Sequence, residues 1–204
     1  MTKVKICGLS RKCDIEAANA LMPDYIGFVF FRKSKRYVSF EQAKELKSIL
    51  NTGIQAVGVF VDEPIERIVK LLDNSIIDIV QLHGNEDEDY IKELHRFTDK
   101  PIIKAFCINS ENDVIKANKS IADYVLLDAG MGSGNVFDWT LINKINRPYF
   151  LAGGLSVQNA EKAIELLNPY ALDVSSGVEI NGLKDKGKMA AFVNAIRKDE
   201  KYDE

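Results

Sequence analysis

The sequence predicts an α/β chain folded as an eightfold β/α barrel (a TIM barrel), one domain over residues 1–204, and three observations carry that expectation. A short β-branched run followed by a helical pattern recurs from end to end. The runs are almost continuously apolar, as suits strands of a parallel sheet buried on both faces. No Pro/Ser/Gly tract divides the chain, and only the charged tail KDEKYDE reads as frayed. At 204 residues the chain has room for one sizeable core and little for two. Barrels of this type usually need about 250 residues, so the connections must be tight.

The predicted strands begin near Val4, Tyr25, Ala56, Ile79, Pro101, Tyr124, Tyr149 and Ala171, reading VKIC, YIGFVF, AVGVFV, IVQL, PIIKAF, YVLL, YFLA and ALDV. Helix signals lie between them. Ser39 and Gln42 form a capping-box pattern ahead of Ala43, Leu46 and Leu50. Pro64 suits a first helical turn, followed by Ile65, Ile68, Val69 and Leu72 at i, i+3, i+4 and i+7. Ser156 can cap a helix carrying Val157, Ala160, Ile164 and Leu167, and Met189, Phe192, Val193 and Ile196 repeat the same spacing. Eight near-equal units favour closure over an open sheet. The open-sheet rival normally shows G-x-G-x-x-G after its first strand, and here that strand ends in Cys7-Gly8-Leu9-Ser10.

Composition narrows the function classes. With 46% hydrophobic and 28% charged residues the chain is an ordinary globular one, and a net charge of −3 without a Lys/Arg tract offers no footprint for nucleic acid. Cys7, Cys13 and Cys107 make neither a metal spacing nor an even-numbered disulfide framework, which suits free thiols in a reducing compartment. The N-terminus lacks a signal-peptide core and no run reaches about 18 apolar residues, so the expectation is a cytoplasmic protein with no membrane partner.

In such a barrel the active site lies at the C-terminal ends of the strands. Cys7 ends the first, Gln81 and His83 the fourth, Asp128 the sixth, and Asp173, Ser175 and Ser176 the eighth. Gly153-Gly154 follows the seventh strand and Ser175-Ser176-Gly177 the eighth. Those two loops often bind phosphate in this fold, because glycine lets backbone N–H groups approach an anion closely. Each loop alone is equally well a tight turn; the pair in these positions favours a phosphate site. Lys104 interrupts the fifth strand and reads as an interior charge paired across the barrel. Cys13, Cys107 and His95 read as structural or surface residues.

The residues quoted so far belong to a longer ordered set. K-I-C-G-L at 5–9, F-x-x-x-S-x-R-Y-V from Phe30 to Val38, Q-L-H-G at 81–84 and L-L-D at 126–128 come first. They are followed by G-S-G-x-x-F-D-W ending at Trp139, G-G-L at 153–155 and D-V-S-S-G-V-E at 173–179. In order and coverage this set resembles the phosphoribosylanthranilate isomerases of tryptophan biosynthesis. The resemblance implies a barrel of the ribulose-phosphate-binding type, a phosphosugar substrate, no cofactor, no metal, and a monomer or homodimer. It also implies an Amadori rearrangement of N-(5-phosphoribosyl)anthranilate. One acid must protonate the furanose oxygen and one base must take the proton from C2.

By their places in the motifs, Asp128 is implied as the general acid and Cys7 as the general base. An unperturbed Asp titrates at about 3.9 and a Cys at about 8.5, so each role asks something of its surroundings. Arg36 is implied as the partner of the anthranilate carboxylate, for which its planar fork is suited; a solvated loop charge is the alternative. Gln81, His83 and Asp173 are implied around the substrate, Asp173 towards ribose hydroxyls, with a satisfied barrel-end histidine as the alternative for His83. Gly132 and Gly134 suit a loop that closes over substrate, or a plain turn. Against the family pattern stand Arg32 where proline is frequent, Ala152 before the glycine pair where serine is common, and Asn135 where a lysine often sits.

Rival readings remain. A metal-dependent pentose-phosphate epimerase needs a histidine and carboxylate set, and the chain has two histidines. An indole-forming synthase wants lysines at strand ends. A thiol hydrolase would pair Cys7 with His83, and a non-catalytic barrel would bind phosphosugar without turnover.

Overall fold

The computed structural model describes residues 1–128 and 141–197. Eight parallel strands close into a barrel in sequential order. They are β1 (Lys3–Cys7), β2 (Tyr25–Val29), β3 (Gln55–Phe60), β4 (Ile79–Leu82), β5 (Ile102–Cys107), β6 (Tyr124–Asp128), β7 (Tyr149–Ala152) and β8 (Ala171–Val174). Each starts within one residue of the apolar run that predicts it. Closure is explicit in the pairing of β8 with β1, where Lys5 stands opposite Asp173.

Around the barrel run α1 (Lys12–Leu21), α2 (Phe40–Ser48), α3 (Ile65–Asp73), α4 (Glu88–Leu94), α5 (Glu111–Lys119), α6 (Val157–Leu167) and α7 (Lys186–Ile196). Between β6 and β7 the described residues include a 3-10 turn, Ile142–Lys144. After β8 comes a second 3-10 turn, Ser176–Val178, and then a ribbon of β9 (Glu179–Ile180) and β10 (Leu183–Lys184). Asn181 and Gly182 join its strands with φ of 52° and 79°, the left-handed pair that a two-residue hairpin needs.

Helix starts follow local chemistry with two adjustments. Ser39 caps α2 by accepting from the Gln42 N–H at 3.2 Å, but the Gln42 side chain donates to the Ser10 carbonyl at 2.8 Å instead of completing the box. Pro64 sits at the N-cap of α3, one position before the first turn. The Ser156 N–H donates to Asn159 Oδ1 at 2.8 Å at the start of α6. Among the described residues no helix is long and apolar enough to cross a membrane.

The period of two along each strand sorts residues into two layers. One set, including Ile6, Ile26, Phe28, Val80 and Leu127, packs against the helices. The alternate set, including Val57, Ile79, Ile103, Leu126 and Phe150, fills the barrel. This parity corrects the expectation for Lys104. It shares the outward face of Ile102, where its amine donates to Glu86 Oε2 at 2.8 Å and the Gly84 carbonyl at 2.7 Å. The pair joins β5 to the loop after β4 and does not span the barrel.

Candidate active site

At the C-terminal ends of the strands the barrel opens into a cavity of about 540 Å³. The inward parity that fills the barrel with Leu126, Phe150 and Ala171 brings Asp128, Ala152 and Asp173, each two residues further on, to the cavity wall. Cys7, Gln81 and His83 face it from β1 and the end of β4, and Arg36 enters from the loop after β2. Gly153, Gly154, Ser175 and Ser176 complete the rim between β7 and β8. Gly153 and Gly154 both have left-handed backbones, with φ of 89° and 60°.

Gly177 stands off the cavity wall and has a different task. A Cβ there would lie 1.9 Å from the Leu155 carbonyl oxygen, so only glycine lets the loop after β8 touch the loop after β7. Gly177→Ala is therefore expected to cost about 1–3 kcal/mol by overpacking. A urea midpoint and an inhibition constant for inorganic phosphate, both unmoved, would show that the two loops are independent.

Polar contacts within the cavity leave groups to spare. Gln81 Nε2 and His83 Nδ1 are 2.9 Å apart, and His83 Nε2 lies 3.7 Å from Asp128 Oδ2. Asp173 accepts from the Lys5 amine at 2.8 Å through Oδ2. Gln81 Oε1 and Asp173 Oδ1 are buried without a hydrogen-bond partner among the described residues. A buried acceptor left unmade costs about 1–3 kcal/mol, so both atoms are suited to hydroxyl or amine donors of a ligand.

Sequence reasoning passed over Lys5, which is fully buried. It lies two residues before Cys7 and so shares its inward face. Burial alone would lower the Lys5 amine, but the Asp173 carboxylate and the Cys7 sulfur more than offset this and hold it above its ordinary value. At Cys7 burial wins: it pushes the thiol up against the opposing pull of Lys5, with Asp173 adding to the rise and Lys184 opposing it. Gly27 also went unnoticed. It pairs with Cys7 across β1 and β2, and a Cβ there would come within 2.7 Å of the sulfur.

Arg36 is not the solvated charge of the alternative reading, yet its fork is already in use. Nε and Nη2 donate to the two oxygens of Glu179 at 2.7 and 2.8 Å. Among the described residues no group of three or more His, Cys, Asp or Glu is arranged to hold a metal ion. Gly132, Gly134 and Asn135, and the motif ending at Trp139, lie outside the described residues.

Comparison with known proteins identifies the family. The family model described as N-(5'phosphoribosyl)anthranilate (PRA) isomerase matches residues 4–195. The chain belongs to the phosphoribosylanthranilate isomerase family. An N-(5'-phosphoribosyl)anthranilate isomerase of Thermoanaerobacter sp. (strain X514) is 46% identical over 204 residues, covering 97% of this chain and 98% of that one. The crystal structure of phosphoribosyl anthranilate isomerase from Thermotoga maritima superposes with a TM-score of 0.87 at 35% identity, over 97% of this chain and 100% of that one. A further phosphoribosyl anthranilate isomerase structure, in complex with reduced 1-(o-carboxyphenylamino)-1-deoxyribulose 5-phosphate, gives 0.85 at 34% identity over the same shares. Within this isomerase family member, His95 and the exposed Cys13 and Cys107 stand apart from the cavity, as expected of them. His95 Nε2 instead lies 3.9 Å from Asp123 Oδ2.

Proposed function

We propose that this chain isomerises N-(5-phosphoribosyl)anthranilate to 1-(2-carboxyphenylamino)-1-deoxyribulose 5-phosphate by general acid–base catalysis. The observation that carries the reading is one cavity lined by Cys7, Asp128, Arg36 and the two glycine-bearing loops. The sugar phosphate binds between Gly153-Gly154 and Ser175-Ser176, where close backbone approach favours an anion, and Gly177 keeps the two loops in contact. Arg36 receives the anthranilate carboxylate. Asp173 Oδ1 and Gln81 Oε1 take donors from the substrate, and His83, beside both Gln81 and Asp128, stands next to the acid.

The acid form of Asp128 gives its proton to the furanose ring oxygen; the C1–O bond breaks and a C1–N iminium forms. The Cys7 thiolate then removes the proton from C2, leaving an enolamine. Ketonisation returns a proton to C1 and releases one from the C2 hydroxyl, so both side chains regain their starting forms and no net redox partner is consumed. Lys5 supplies the buried positive charge that a thiolate at Cys7 requires. Action in the cytoplasm, as a monomer or homodimer, completes the proposal.

Turnover of freshly formed N-(5-phosphoribosyl)anthranilate by the purified chain, together with rescue of a tryptophan auxotroph blocked at this step, is the expected result. Tight binding of the reduced product with no turnover would make the non-catalytic reading the correct one. A covalent acyl adduct on Cys7, sought by trapping and mass spectrometry, would favour the thiol hydrolase.

A further inference from the structure

The ribbon β9–β10 is an addition to the barrel, and its two facing residues, Glu179 and Lys184, are both drawn inwards. The Glu179 side chain is 7% exposed and that of Lys184 2%. Lys184 Nζ donates to Glu179 Oε1 at 2.6 Å and to the Ser175 carbonyl at 2.9 Å. Ser175 Oγ in turn donates to the Cys7 carbonyl at 3.1 Å. On its other side the Glu179 carboxylate takes the Nε and Nη2 edge of Arg36. Burial would raise this carboxyl, but Arg36 and Lys184 more than offset it and hold it below the usual carboxylate range.

Two details fix the sense of the arrangement. Arg36 lines the cavity, whereas Glu179 does not, so the carboxylate stands behind the guanidinium as seen from the ligand. The stem of Arg36 is held as well. Its Cδ occupies the space that a Cβ on Gly8 would claim, 2.3 Å away, and Gly8 has a φ of 84°. A guanidinium carries five N–H donors in a rigid plane. Engaging its side edge leaves the end edge, bounded by Nη1 and Nη2, with two parallel donors.

We propose that Glu179 is a positioning residue that sets the selectivity of the site for a carboxylated aglycone. It clamps Arg36 side-on and presents the end edge of the guanidinium to the substrate's carboxylate, while Lys184 balances the Glu179 charge and ties the clamp to the loop after β8. The inference rests on the reading of Arg36 as the carboxylate partner. A free Arg36 would spread over many rotamers and would have to be ordered by each substrate molecule.

The test compares N-(5-phosphoribosyl)anthranilate with N-(5-phosphoribosyl)aniline, which lacks the carboxylate, on the full chain and on Glu179→Gln, Glu179→Asp and Arg36→Ala. For Glu179→Gln the KM for the anthranilate substrate should rise about tenfold with kcat nearly unchanged, and the aniline constants should not move. The ratio of kcat/KM for the two substrates should fall accordingly, with Glu179→Asp intermediate. That ratio does not depend on how much enzyme is folded, so a partly unfolded variant still reports. A ratio unchanged in Glu179→Gln but collapsed in Arg36→Ala overturns the positioning role alone. A ratio unchanged in both overturns the reading of Arg36. Tighter binding of the anthranilate substrate to Glu179→Gln would make Glu179 a competitor for Arg36 and overturn the proposal from the other side.

Discussion

Asp128→Asn and Cys7→Ser are each expected to lower kcat by a factor on the order of 100 to 10,000, the usual worth of a positioned acid or base. KM should change little, because neither side chain is assigned to the phosphate or the carboxylate. Both replacements are nearly isosteric, so far-UV circular dichroism and the urea midpoint should be close to those of the parent. Asn cannot release a proton to the ring oxygen, and a serine hydroxyl is far less acidic than a thiol. In the parent, burial pushes the Cys7 thiol up, so the fraction of thiolate grows as pH rises. The scheme also needs the acid form of Asp128, which is depleted as pH rises, so kcat/KM should follow a bell-shaped pH profile, and in Cys7→Ser only the limb that falls with rising pH should remain. Full activity in Asp128→Asn would remove the acid from the scheme.

Lys5→Met is expected to be the most damaging single change to stability, by about 3–5 kcal/mol. Lys5 and Asp173 are both buried and stand 2.8 Å apart, so removing the amine strands a carboxylate that already has one orphaned oxygen. The double variant Lys5→Met/Asp173→Asn should recover much of the loss, since it removes the stranded charge along with its partner. Urea denaturation of the parent and the two variants measures this directly. A single variant as stable as the parent would mean that Asp173 is neutral in the folded protein. The same substitution removes one of the charges that pull the Cys7 thiol down. Alkylation of Cys7, followed by mass spectrometry of its peptide, should therefore slow at a fixed pH.

The two predictions meet at one design question: how a cysteine base is kept usable inside an apolar barrel. Gly27 gives the sulfur room, and Lys5 gives it a counter-charge to which Lys184 adds. Asp173 takes part twice, once as partner to Lys5 and once through the oxygen left open to the cavity.

Much of this was legible in one dimension. Eight apolar runs marked the strands to within a residue, and the polar residues ending them, Cys7, Gln81, Asp128 and Asp173, all reach the cavity. Alternation along a strand is a local property, which is why those side chains could be foreseen on one wall. Lys104 was misread because the pattern IIK shows a charge in a strand without saying which face it takes; the neighbours Ile102 and Ile103 are both buried, one in each layer. The hairpin E-I-N-G-L-K carried a recognisable turn signal that went unused.

By itself, then, the sequence determined the barrel, the limits of its strands and the polar residues that end them, because periodicity and turn chemistry act over a few residues. Only the tertiary structure decided who holds whom. Lys5 meets Asp173 across 168 residues and Arg36 meets Glu179 across 143, contacts that exist because the last strand closes on the first. Whether a buried charge is balanced depends on that closure, and no short-range pattern records it.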